Sequence, residues 1–219
     1  KATDVRLEAA IAKLFCSEAS WRVVDDTLQI RGGRGYETAQ SLRGRGEPGI
    51  PVERMMRDAR INLIIEGTSQ IMRLFIAREA LDAHMRMVGP LLDPRGAPAK
   101  KLSAALAAFG FYAAWYPRQW LAWTWWPRYA SLGVPLAGHL RFVERTSHRL
   151  ARALFHGAAR YQTRLANRQQ LLGRLVDVGA DLFAMAAVCS KAQAMTRLQP
   201  SERSPLELAI RLINWVWAL

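Results

Sequence analysis

Apolar residues recur along most of the chain at steps of three and four, the rhythm of a helix with one buried face. In the opening segment Leu7, Ile11, Leu14, Trp21, Val24 and Leu28 keep this step, which predicts a first helix from about Thr3 to Leu28. The rhythm stops at QIRGGRGY, residues 29–36, where three glycines in four positions break a helix and let a backbone approach a ligand closely. The next stretch, ETAQSLRGRGEPGI, is polar and rich in Gly and Pro, and reads as a surface loop of 14 residues. Pro51 suits a first helical turn, so PVERMMRDARIN predicts a short helix. After LIIEG, Thr68 or Ser69 can cap another helix, with Ile71, Leu74, Phe75, Leu81 and Met85 as its inward face.

GPLLDPRGAPAKK, residues 89–101, holds three prolines and two glycines and predicts a linker between two domains, 1–88 and 102–219. Beyond it, residues 102–129 are aromatic-rich: Trp115, Trp120, Trp123, Trp125 and Trp126 crowd together, interrupted by Pro117 and Pro127. Long helices are predicted from about Leu140 to Ala166 and from about Gln169 to Leu198. No stretch alternates as a strand would, and no internal repeat is visible, so the predicted fold class is all-α.

Composition narrows this picture. Hydrophobic residues make up 51% of the 219 positions but are broken everywhere by charges, and no apolar run approaches the roughly 20 residues that span a bilayer. Cys16 and Cys189 are far apart and fit no CxxC spacing, so both are expected to be reduced packing residues. His84, His139, His148 and His156 are scattered, and their spacing implies no metal. The chain does not begin with Met, no signal peptide opens it, and AIRLINWVWAL ends on apolar residues without a cap; both ends are expected to lie within a longer sequence. The net charge is +13, and 26 of the 31 basic residues are Arg. Residues 1–90 carry a balance of +2 and residues 91–219 one of +11, which points to different partners for the two segments.

Among the charged residues Glu66 stands apart, because it falls on a connection between helices, where chemistry is often carried. By spacing alone it is an ordinary capping or solvated glutamate. Its surroundings change that reading. With QIRGGRGY, PVERMMRDAR and IIEGTSQIMRLFIARE in this order, the sequence resembles the acyl-CoA dehydrogenase family across roughly residues 2–85.

The resemblance implies the C-terminal four-helix-bundle domain of an FAD-dependent enzyme, with the family's N-terminal helical domain and β-domain absent here and an additional helical extension following. It implies that Glu66 is the catalytic base, that Gly67 lies against the substrate, and that Thr68, Ser69 and Gln70 contact FAD. Gln29, Ile30, Arg31, Gly32 and Gly33 match the segment that reaches the FAD of a neighbouring subunit; without the resemblance they read as a helix-ending turn. Abstraction of an α-proton from an acyl thioester asks for a carboxylate in a water-poor pocket, and Leu63, Ile64 and Ile65 are candidates for part of its wall. The family's thioester carbonyl accepts hydrogen bonds from a flavin hydroxyl and from the N–H of the catalytic glutamate, here Glu66. Arg54, Arg57, Asp58 and Arg60 are assigned to ion pairing. Two departures bear on chain-length preference: the loop between Tyr36 and Pro51 is longer than is usual, and Ile65 stands where an aromatic is common.

Residues 95–219 resemble the very-long-chain subgroup in architecture, whose members are membrane-associated homodimers. Arg141, Arg145, Arg149, Arg152, His156, Arg160 and Arg164 advance at helical steps, broadly opposite Leu150, Leu154, Ala158, Tyr161 and Leu165. This is either a bundle helix with a solvated Arg face or, with the Trp cluster, a peripheral membrane contact through residues 109–165. No recognition motif favours nucleic acid. The implied function is α,β-dehydrogenation of a medium-to-long-chain acyl-CoA to trans-2-enoyl-CoA, with electron-transferring flavoprotein as acceptor and a homo-oligomer, dimer or tetramer, as the assembly. The implied location is the cytoplasm, at the membrane periphery, or the mitochondrial matrix in a eukaryote. An acyl-CoA oxidase and a non-catalytic membrane or assembly module stay open beside it, and the chain alone is expected to be inactive.

Overall fold

A computed structural model describes residues 4–93, 95, 97–121, 129, 134–199 and 201–217. Among these residues all regular structure is helical: α1 (Arg6–Arg31), α2 (Gly33–Tyr36), α3 (Ala39–Gly44), α4 (Val52–Ile61), α5 (Ser69–Leu92), α6 (Pro98–Leu121), α7 (Val134–Tyr161), a 3-10 turn (Gln162–Asn167), α8 (Gln169–Leu198) and α9 (Ser204–Trp217). The chain divides into two compact units, Lys1–Ile76 and Ala77–Leu219, and the division falls within α5.

In the first unit α1 packs on α2 and α4. Its buried stripe, Ala10, Ile11, Leu14 and Ser17, occupies one face over two turns, and Leu14 is 1% exposed. The helix runs three residues past its predicted end and stops where Gly32 takes φ 59°, ψ −143°, a backbone conformation that a Cβ disfavours. The segment expected to be one surface loop contains a helix: Thr38 accepts a hydrogen bond from Ser41 N–H and starts α3. Leu42, fully buried, fastens that short helix to the unit. The rest of the segment is polar and tied to itself. Glu37 accepts from Ser41 Oγ and pairs with Arg45, contacts that hold its carboxyl below the usual range, the serine first.

The inward face of α5 also differs from expectation. Thr68 is the cap, accepting from Ile71 N–H at 3.3 Å, while Ile71 and Met85 are exposed and Ile76, Ala77 and Leu81 are buried. The helix continues through Gly89 and Pro90 to Leu92; near a helix end a proline disrupts few ladder bonds.

In the second unit α7 packs on α6 and α8, and α8 on α9. α8 has the predicted bounds, whereas α7 begins earlier than expected and tightens into the 3-10 turn after Tyr161. α9 was not anticipated; Ala209, Ile213 and Val216 bury its inner face. Between α5, α6 and α7 lies an aromatic cluster. The His84 ring stacks on Tyr112 with its Nδ1 3.0 Å from the phenol oxygen, and burial moves the His84 pKa down and that of Tyr112 up. Part of the basic stripe of α7 turns onto α6. Arg152 lies 3.9 Å over the Trp120 ring and donates to the Gln119 carbonyl, His148 contacts Gln119 Oε1 at 2.8 Å, and His156 meets Tyr116 at 3.0 Å. Arg145, Arg149, Arg160 and Arg164 remain exposed. Trp123, Trp125, Trp126 and Pro127 of the predicted Trp cluster lie outside the described residues. Among the described residues, no helix is long and apolar enough to cross a membrane.

Leu14→Ala should lower stability by about 2–5 kcal/mol, the usual result of emptying a buried leucine site, whereas Leu102→Ala, at a position 65% exposed, should change it by less than about 0.5 kcal/mol. Urea denaturation of the two variants checks the contrast.

Candidate active site

Glu66 sits in the six-residue span, residues 62–67, that joins α4 to the cap of α5. Past Ile61 the backbone keeps turning, with Asn62 N–H donating to Ala59 O, Leu63 to Arg60 O and Ile65 to Ile61 O. The turn then reverses hand. Glu66 has φ +54° and Gly67 φ +96°, two consecutive residues in the left-handed region. For glutamate that conformation costs about 1–2 kcal/mol, a strain that persists only where the surroundings enforce it. Ser69 N–H closes the span by donating to Leu63 O at 3.3 Å.

The enforcement comes from α1. Lys13 Nζ donates to the Gly67 carbonyl at 2.5 Å. About a turn and a half on, Glu18 takes a two-pronged ion pair from Arg73 in the second turn of α5, both N–O distances being 2.9 Å. One further turn on, Trp21 lies under the Arg60 guanidinium, 5.2 Å from ring centroid to Arg60 Cζ, near the end of α4. Both flanks of the span and its middle are therefore tied to one helix.

Against the span lies an open cavity of about 260 Å³, lined by Lys13, Cys16, Ser17 and Ser20 of α1 and by Asn62, Ile65 and Glu66. The four α1 residues follow the i, i+3, i+4, i+7 step of a single helix face, next to the apolar stripe. This second face is not visible in the apolar pattern, but the same spacing, read for small and polar residues, marks it. Cys16 is exposed on that face and is not the packing residue expected, whereas Cys189 is buried in α8 and burial raises its thiol pKa.

Of the residues singled out from sequence, Glu66 and Gln70 are exposed, Gly67 and Thr68 half-buried and Ser69 buried. Among the described residues, the Glu66 N–H donates to no carbonyl, and Ser69 Oγ is buried without a partner. Gln29, Ile30, Arg31, Gly32 and Gly33 lie at the far end of α1. Sixteen helical residues separate Lys13 from Gln29, about 24 Å along the axis, so the structure does not bring these two groups together. Gly32 is required by its φ. Gly33 is not: its φ is ordinary for any residue and a Cβ there would meet nothing within 4 Å. The Arg31 Nε is buried without a hydrogen-bond partner. Leu63 is half-buried, but Ile64 and Ile65 are exposed at 50% and 47%, so the apolar wall is open in this chain. Arg57 pairs with Glu53 at 2.9 Å and Arg54 with Asp58 at 3.8 Å, the i, i+4 pairing expected for α4. Among the described residues, no group of three His, Cys, Asp or Glu side chains could hold a metal.

Residues 1–81 match the family model described as acyl-CoA dehydrogenase, C-terminal domain. Over 200 residues the chain is 53% identical to a probable acyl-CoA dehydrogenase, FadE10, of Mycobacterium tuberculosis, covering 91% of the chain and 31% of that protein. It is 34% identical over 203 residues to the mitochondrial very long-chain specific acyl-CoA dehydrogenase of Homo sapiens, covering 87% of the chain and 27% of that protein. Among solved structures, an acyl-CoA dehydrogenase complexed with FAD from Bacillus anthracis shares the fold over 94% of this chain and 30% of its own, with TM-score 0.63 at 22% identity. The chain thus spans about a third of the length of the curated relatives it matches.

Gly67→Ala should cost about 1–3 kcal/mol through its left-handed φ, because its Cβ would also fall 2.8 Å from Met72 Sδ. Thermal denaturation of Gly67→Ala, alone and with Met72→Ala, separates the parts: the second change should relieve the contact and leave most of the loss.

Proposed function

The chain belongs to the acyl-CoA dehydrogenase family through a C-terminal domain over residues 1–81, and from that premise we propose that it is part of a longer FAD-dependent enzyme. That enzyme removes hydrogen across the α,β-bond of a medium-to-long-chain acyl-CoA to give the trans-2-enoyl-CoA. The observation that carries this reading is the strained segment at Glu66 and Gly67. A glutamate lines a cavity with its backbone in a conformation that glutamate rarely adopts, and its own N–H donates to no carbonyl.

In this reading Glu66 takes the α-proton, and its N–H donates to the thioester carbonyl oxygen, favouring the enolate-like charge that develops as the proton leaves. Gly67, lacking a Cβ, lets the thioester come close. FAD supplies the acceptor for the hydride that leaves the β-carbon. Ile64 and Ile65, exposed here, gain their apolar cover from the remainder of the enzyme, and that desolvation moves the carboxylate towards a useful basicity. On this basis the chain by itself is inactive, and residues 1–88 serve the dehydrogenase bundle, joined through 89–101 to the extension 102–219.

Several features support the FAD contacts. Ser69 Oγ and Arg31 Nε are buried without partners, a costly state that a bound polar group relieves. Gly33 is a glycine that the fold itself does not need. Thr68 and Gln70 flank Ser69 on the first turn of α5, and Gln29, Ile30 and Gly32 flank Arg31 at the end of α1. The length of α1 between Lys13, which holds Gly67, and Gln29, about 24 Å, supports assigning the two groups to the flavins of two subunits, and hence a dimer or tetramer. Electron-transferring flavoprotein is the proposed acceptor and the cytoplasm the proposed location.

A second proposal concerns the extension. On α6, Leu102, Leu106 and Phe109 are 65%, 66% and 75% exposed at one helical face, with Lys100 and Arg118 exposed on the same helix. This supports a peripheral contact with an anionic membrane through α6 and α7. The enzyme should pellet with phosphatidylserine vesicles, and Leu106→Asp with Phe109→Asp should abolish that; equal pelleting of the double variant sinks the membrane reading.

For the reaction itself, anaerobic addition of a saturated long-chain acyl-CoA to the full-length protein should bleach its flavin band. Glu66→Gln should retain the flavin and lose turnover by a factor of roughly 100 to 10,000 or more. Peroxide formed in proportion to substrate would assign an oxidase instead, and a colourless protein would point to the assembly module.

A further inference from the structure

Resting on the reading of Glu66 as the base, we propose that Lys13 is a positioning residue for it, acting through the Gly67 carbonyl. A glycine has no Cβ to restrict its own ψ, so the peptide that follows it turns more freely than most. The peptide between Gly67 and Thr68 is such a unit, and it lies next to the glutamate. Its oxygen accepts from Lys13 Nζ at 2.5 Å, a charge-assisted bond from a neighbouring helix 54 residues away in sequence.

Because the peptide is planar and trans, its two polar groups point to opposite edges. With the Gly67 oxygen held towards α1, the Thr68 N–H faces away from it. One ammonium therefore fixes the orientation of this peptide, and with it ψ of Gly67 and the way the Glu66–Gly67 turn enters α5. Glu66 beside it holds a left-handed φ of 54°, strain that the chain tends to relieve wherever its neighbours are free to move.

Lys13 is well suited to hold against that tendency. It is half-buried on a helix whose next contacts, Glu18 with Arg73 and Trp21 with Arg60, already fix both flanks of the span. The flanks hold the ends, and Lys13 alone among the three reaches the glycine in the middle. Its side chain shares the cavity wall with Glu66 and Ile65, so it sets where the carboxylate sits without itself taking the proton.

The test uses the full-length flavoprotein with Lys13→Met, Lys13→Arg, Glu66→Gln and the Lys13→Met/Glu66→Gln pair. Lys13→Met should lower kcat per bound flavin roughly 10- to 100-fold, the scale of an ångström-sized misplacement of a reacting group, with KM and flavin content little changed. Amide hydrogen exchange across residues 62–70, measured without substrate, should quicken. Lys13→Arg should restore most of both, and the paired variant should be no slower than Glu66→Gln, because the two residues act on one step.

Wild-type kcat and exchange in Lys13→Met would overturn the proposal while leaving Glu66 untouched. Flavin loss or early melting in that variant, with kcat per bound flavin preserved, would also overturn it by assigning Lys13 to the fold. A paired variant slower than Glu66→Gln by the whole Lys13 factor would do the same. Wild-type turnover in Glu66→Gln is a separate failure, that of the base assignment on which the proposal stands.

Discussion

The first unit is organised by the ties between α1 and the backbone on either side of Glu66. Trp21 receives Arg60 at the end of α4, Lys13 receives the Gly67 carbonyl, and Glu18 receives Arg73 in α5. These contacts come from one 26-residue helix whose apolar stripe is fixed by Leu14 and its neighbours. A regular helix is a stiff ruler, so contacts at residues 13, 18 and 21 set distances that a loop alone would not keep. Two left-handed residues in succession are affordable only on such a support. The strain is local, and what resists it is spread along α1.

Much of this was legible in the sequence, and the limits are physical ones. The three motifs and their order identified the family, the 3.6-residue rhythm gave α1 and α8 and Pro51 gave α4, each to within a few residues, and EGTSQ put the glutamate just before a helix cap. What the rhythm could not give was any partner across the chain. Nothing in the local pattern around Lys13 marks it as meeting residue 67, since a single lysine on a helix is ordinarily a solvated charge. Glu18 and Arg73 are likewise 55 residues apart, and neither looks unusual alone. α3 was missed because Gly44, Gly46, Pro48 and Gly49, which follow Leu42 closely, concealed a six-residue helix that one buried leucine fastens.

The second unit shows why a charge pattern underdetermines its use. Arg152, His148 and His156 belong to the same stripe as Arg145, Arg149 and Arg160, yet the first three are taken up by Trp120, Gln119 and Tyr116. A guanidinium stacked on an indole is weakly hydrated and loses little on leaving water, so an arginine read from sequence as solvated can serve as packing. Only the remaining arginines are left to act on a partner. The aromatic cluster around His84 is similar: neutral imidazole fills a place that an aromatic ring would fill, and burial keeps it neutral.

The two connections of α4 differ in kind. On its far side, residues 62–68 are held at their middle and at both ends, so that a change in length would move the glutamate. On its near side, residues 43–50 are mostly exposed, and beyond the buried Leu42 their side-chain ion pairs reach only the adjoining stretch, Arg45 to Glu37 and Glu47 to Arg34. Added residues there disturb little that the rest of the unit relies on. The short helix α4 thus separates a connection whose length the unit tolerates from one whose length it fixes.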